Sequence, residues 1–147
     1  MIEIYKFGPV PLTVAPTYQR ADLEIYGINT FRPSFSGLVF LNDPAVTEKN
    51  CSEDRPNYAG RFDVFGHPTC VGDEGHCHVV ERHRRFDDRP SHPLTPAFRR
   101  VVITDALRRV RAESDRLAVT IVVGCAGDSY EGKRLLEISG LQIATFS

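Results

Sequence analysis

Outside the polar stretch 47–57 and the insert 66–96, residues 20–147 are written mostly in short β-type segments cut off by turn signals, and that spacing constrains the fold more than any other feature. Residues 58–65 alternate, with Tyr58, Phe62 and Val64 on one face and Arg61 and Asp63 on the other. Phe35-Ser36-Gly37-Leu38-Val39-Phe40-Leu41 is strand-like and stops at Asn42-Asp43-Pro44. Leu23 and Ile25 alternate with Asp22, Glu24 and Tyr26. Segments 99–104 and 117–123 are rich in Val and Ile, and 135–146 reads as two short strands joined by Ser139-Gly140.

One short helix is expected over about 104–112. Thr104 is placed to cap it, Asp105 suits its positive end, and Arg108, Arg109 and Arg111 suit its negative end. Leu107 and Val110 would be its buried face. The expectation is a mostly β fold, an antiparallel sandwich or barrel with one short helix, in a single domain spanning 1–147. Phe35, Phe40, Phe62, Phe65 and Phe146 are expected in its core.

Residues 66–96 do not join this pattern. They hold four of the ten prolines, and an irregular insert of that length is usually functional or held by something. Its first part, Gly66-His67-Pro68-Thr69-Cys70-Val71-Gly72-Asp73-Glu74-Gly75-His76-Cys77-His78, carries three of the five histidines and two of the four cysteines. In an extended stretch His76 and His78 share a face and could share a metal, with His67 and Cys70 arriving from the preceding turn. Cys77 would join only if the loop is irregular, and His92, between Ser91 and Pro93, could complete the set. Mixed imidazole and thiolate donors suit zinc or copper. A Cys70–Cys77 disulfide and plain solvated loop residues are the competing readings, since no Cys-x2-Cys pair marks a standard zinc site. His83 and His92 both read first as solvated loop residues, though either could complete a four-ligand site, with His92 the better placed. Asp73-Glu74 reads as exposed carboxylates better suited to orienting a histidine than to acid–base work.

Net charge is −1, so no global field draws the chain to nucleic acid or to an anionic membrane. The longest apolar run, 117–125, is broken by Thr120 and Gly124 and is too short to span a bilayer as a helix. Met1-Ile2-Glu3-Ile4-Tyr5-Lys6 lacks the pattern of a signal peptide, which gives the expectation of a cytoplasmic address with reduced cysteines. No Gly-x-Gly-x-x-Gly, phosphate loop, Gly-x-Ser-x-Gly or His-Glu-x-x-His occurs.

The order of the β-segments resembles the C-terminal β-domain of tyrosinases and plant polyphenol oxidases, the type-3 copper oxidases. The resemblance runs through residues 36–43 as a strand ending in an Asn-Asp turn, and through Tyr58-Ala59-Gly60-Arg61-Phe62. It continues in Ile103-Thr104-Asp105-Ala106-Leu107, and closes with Val119-Thr120-Ile121-Val122 and Ile138-Ser139-Gly140-Leu141-Gln142-Ile143. The insert 66–96 is where the chain departs from that pattern. In that family the β-domain packs beside the copper-bearing helical domain and can cover its entrance. A dicopper site of this type needs more histidines, mostly on helices, than the five of this chain.

The resemblance therefore implies a non-catalytic accessory protein that shields, assembles with or delivers copper to a partner copper oxidase. It also implies that an exposed aromatic, Phe31 or Phe86, could plug a partner's pocket. Separately, the local excess of arginine over acid makes the stretch with Arg84 and Arg85, beside Phe86, a candidate partner-binding surface. Two other readings stay open. One is a small metalloenzyme with its site in 66–92; the other is a structural binding module whose loop is stapled by a metal or a disulfide.

Overall fold

The computed structural model describes residues 1–10, 17–68, 85–86, 96–125 and 134–147. In chain order the elements are β1 (Ile2–Val10), β2 (Arg20–Ile28), β3 (Phe35–Leu41), β4 (Tyr58–Val64), β5 (Ala97–Val102), α1 (Thr104–Arg111), β6 (Leu117–Gly124) and β7 (Gly140–Phe146). They form two antiparallel sheets, a four-stranded one ordered β1-β6-β3-β4 and a three-stranded one ordered β5-β2-β7. The sheets pack face to face and do not close, so the architecture is a sandwich and not a barrel.

The inward positions of alternating strands make the core: Ala21, Leu23 and Ile25 on β2, Val39 and Leu41 on β3, and Val119, Ile121 and Val123 on β6. Phe35 meets Phe62 edge to face, with ring centres 6.3 Å apart. Gly37 lies under that ring, where an added Cβ would stand 2.4 Å from Phe62 Cε1, so only glycine lets the ring settle there. Along one long side β4 meets β5; along the other, between β1 and β7, the filling is done by the 134–139 segment, whose Leu135 and Leu136 are buried. That segment is clipped to β1 through side chains. Leu135 N donates to Glu3 Oε2 at 3.0 Å and Leu136 N to the Tyr5 hydroxyl at 3.2 Å. Burial, with the Glu3 carboxylate accepting from the hydroxyl, pushes the Tyr5 pKa up to about 12.

A second, smaller apolar cluster lies on the outer face of the four-stranded sheet. Phe40 and Val122 are covered there by Val46 from the 43–57 loop, with Cys51 and Tyr58 beside them. This corrects the expected placement of Tyr58 on the face of Phe62 and Val64. A bulge in the β3–β4 ladder pairs Gly60 with Val39 but Tyr58 with Phe40, so the extra residue, Ala59, turns Tyr58 outward.

Other expectations are also corrected. Phe65 and Phe146 are exposed, because each stands at or beyond a strand end where no opposing sheet covers it. Residues 134–139 form no strand, so 135–146 contributes only β7. Strand β1 was not among the expected segments. The helix spans Thr104–Arg111 with Ala106, Leu107 and Val110 buried, but Thr104 does not cap it. Its hydroxyl instead accepts from Ala21 N at 3.0 Å, tying the helix start to β2.

Candidate functional site

Strand directions put the β2–β3 loop, the start of the 66–96 insert and the 134–139 segment at one end of the sandwich. There the backbone of Gly66 and His67 is pinned to the loop: Gly66 N donates to Ser34 Oγ at 3.0 Å and His67 N to Thr30 O at 2.8 Å. Asn29 accepts from Phe31 N at 2.8 Å, a local turn that presents the Phe31 ring. Arg32 anchors the loop from below. It is buried, donates to Arg134 O at 2.9 Å and bonds Glu137 at 2.5 Å.

Two of the expected site residues, Phe31 and His67, are thus brought to one place. Phe31 is 41% exposed and Phe65 is 78% exposed, its ring edge-on to the exposed His67 imidazole at 6.2 Å between centres. Phe31, Pro96 and Glu137 line a hollow of about 340 Å3 beside them. Of the remaining expected residues, Arg85 and Phe86 are described. Phe86 is 89% exposed with a left-handed φ of 74°, and the Arg85 guanidinium lies 5.4 Å from its ring centre. Cys70, His76, Cys77, His78, Arg84 and His92 lie outside the described residues, as do His83, Asp73 and Glu74. Among the described residues no three or more His, Cys, Asp or Glu side chains come together in a metal-binding group, and Cys51 and Cys125 are free thiols.

The outer face of the three-stranded sheet carries a charge network that alternation alone disguised. Asp22 and Glu24 point outward yet are buried, because neighbouring side chains fold over them. Arg20 Nε donates to Asp22 at 2.8 Å, and Arg100 reaches both carboxylates at 3.3 Å. Glu24 also accepts from the Tyr26 hydroxyl and, at 2.8 Å, from Gln142 Nε2. The Tyr26 hydroxyl first, then the Gln142 amide, hold the Glu24 carboxyl below the usual carboxylate range. Its bond to Glu24 raises Tyr26 in turn. These shifts move both groups away from neutral pH, the opposite of what acid–base catalysis requires. Beside the network, the Tyr26 ring is tilted at 43° against Phe98, ring centres 5.1 Å apart.

No protein-family model matches the chain, and no curated protein matches it in sequence. Solved structures do match. A latent aurone synthase (polyphenol oxidase) from natural source superposes with a TM-score of 0.52 at 17% identity, covering 98% of this chain and 24% of that one. A recombinantly expressed latent aurone synthase gives 0.56 at 17% identity, covering 97% and 24%. This chain therefore spans about a quarter of the length of the proteins it matches, and what it shares with that quarter is the fold.

Proposed function

We propose that this chain is a non-catalytic β-domain that docks on a copper oxidase and shields it, presenting the end of the sandwich that carries Phe31. The observation behind this reading is the fold likeness over 97–98% of the chain to one quarter of a latent polyphenol oxidase. A domain that makes up a quarter of such a protein has the other three quarters to pack against. Phe31 suits the role of plug: it is a large apolar ring, exposed, and its loop is fixed by Asn29 and the buried Arg32. A rigid aromatic anchor loses little conformational entropy on docking, which is why such residues dominate interfaces. Copper delivery would draw on His67, Cys70, His76, Cys77, His78 and His92, and is the further extension of the same proposal.

The test is co-expression with a type-3 copper oxidase lacking its own β-domain, followed by assay of diphenol oxidation with and without this chain. A lower rate in the complex, partly restored by Phe31→Ala with binding retained, is the expected result. A chain that binds no such oxidase, or binds and leaves the rate unchanged, overturns the reading.

A further inference from the structure

The end of the sandwich away from Phe31 holds the larger cavity, a cleft of about 580 Å3 between β1, the start of β6, the 42–44 turn and the residues after α1. Small-molecule sites run from about 300 to 1,000 Å3 and are mostly apolar with a few convergent polar groups. The sequence builds this cleft in two steps. First, β1 slips its register against β6 between Phe7 and Val10 and bends away. Gly8 sits in that bulge at φ 132°, and a Cβ there would come within 3.1 Å of Ala118 Cα.

Second, Asn42 adopts a left-handed φ of 49° and spans the opposite wall. Its side chain accepts from Ala118 N at 2.7 Å and donates to Arg116 O at 2.9 Å, while Asn57 donates to its carbonyl at 2.9 Å. Asp43 is held by two bonds from Arg55, at 2.7 and 2.8 Å. The turn is therefore satisfied from within, and its polar groups are fixed before any ligand arrives.

What the cleft leaves over is charge. Phe7, Val110 and Leu117 give apolar lining, and Lys6, Arg116 and Glu113 reach the same space. Lys6 Nζ makes one long contact, 3.4 Å to Pro44 O. The Arg116 and Glu113 side chains enter no ion pair among the described residues. With Asp43 neutralised by Arg55, the unpaired groups carry one net positive charge.

We infer that this cleft binds a small organic monoanion, its apolar body against Phe7, Val110 and Leu117 and its carboxylate or sulfonate between Lys6 and Arg116. Glu113 selects against polyanions. The inference is independent of the shielding role, which uses the other end of the molecule.

The probe is 2-naphthoate, titrated into the purified chain and followed by amide NMR, with 2-naphthalenemethanol as the neutral control. Shifts should converge on Lys6, Glu113 and Ala118, and the alcohol should bind about tenfold more weakly, as expected when charge-assisted hydrogen bonds are lost. A Lys6→Gln, Arg116→Gln double variant should lose a similar factor at an unchanged melting temperature. Equal affinity for acid and alcohol, no shifts at millimolar naphthoate, or shifts centred on Phe31 overturns the inference. If the double variant does not fold, Glu113→Gln decides: it must tighten naphthoate binding, and unchanged or weaker binding overturns the inference.

Discussion

The two ends of the sandwich are closed by opposite means. At the end with the cleft, closure is regular: α1 lays Ala106, Leu107 and Val110 over the core, and Asn42 bridges with both its side-chain polar atoms to Arg116 and Ala118, on either side of the first residue of β6. At the end with Phe31, closure is irregular: the 134–139 segment has no helix or strand of its own and is held by borrowed partners. Glu3 and Tyr5 take the N–H groups of Leu135 and Leu136, Arg32 takes the Arg134 carbonyl, and the β2 end bonds the backbone of Glu137 and Ser139. Both ends bury a leucine completely, Leu107 in one and Leu135 in the other. Burial alone therefore does not distinguish them. The difference is that α1 satisfies its backbone through its own repeating ladder, whereas the 134–139 segment has no ladder of its own and relies on single bonds to other parts of the chain.

The largest test of that contrast is a pair of truncations. Leu107→Ala and Leu135→Ala should each cost about 2–5 kcal/mol in denaturant unfolding, the range for emptying a buried leucine site. Comparable losses support equal packing at the two ends; a much smaller loss at Leu135 would show that the irregular end packs more loosely than its burial implies. A smaller effect separates the polar anchors. Asn42→Ala loses two hydrogen bonds and strains a left-handed residue, so it should cost about 1–3 kcal/mol, and Asn42→Gly less because glycine accepts that φ. Tyr5→Phe, which leaves Leu136 N without its acceptor, should cost about 1 kcal/mol.

The smallest effect is with acid. The Arg55 guanidinium first, through its hydrogen bonds, holds the Asp43 carboxyl below its ordinary value of 3.8. The folded pKa is the lower one, so the contribution of this pair is complete above the ordinary value and fades as pH falls from there through the folded pKa. Amide exchange around residues 41–58 should therefore rise on acidification more in the native chain than in Asp43→Asn. An equal rise in both would show that this pair does not govern the cleft end.

Much of the fold was legible because most strands obey a period of two with one clean apolar face. Segment 35–41 and the helix from Thr104 were expected within a residue of where they stand. Strand β1 was not, since its apolar residues fall on both faces: Ile2 and Ile4 are exposed while Tyr5 and Phe7 pack inward. Tyr58 was misplaced because a bulge leaves no mark in composition. The site was legible only in part. Phe31 and His67 could be singled out by residue type, but their proximity depends on a backbone hydrogen bond from residue 67 to residue 30. The cleft was not legible at all, because Lys6, Asn42, Glu113 and Arg116 are scattered along the chain and no local pattern relates them.

The contact of β4 with β5 has a mechanical consequence. The molecule is bound like a book, with its spine at Gly60 and Val101 and its fore-edge at β1 and β7. The clasp on that fore-edge is the stretch from Arg134 to Ser139, so a tug on the chain just ahead of β7 would part the covers there while the spine held.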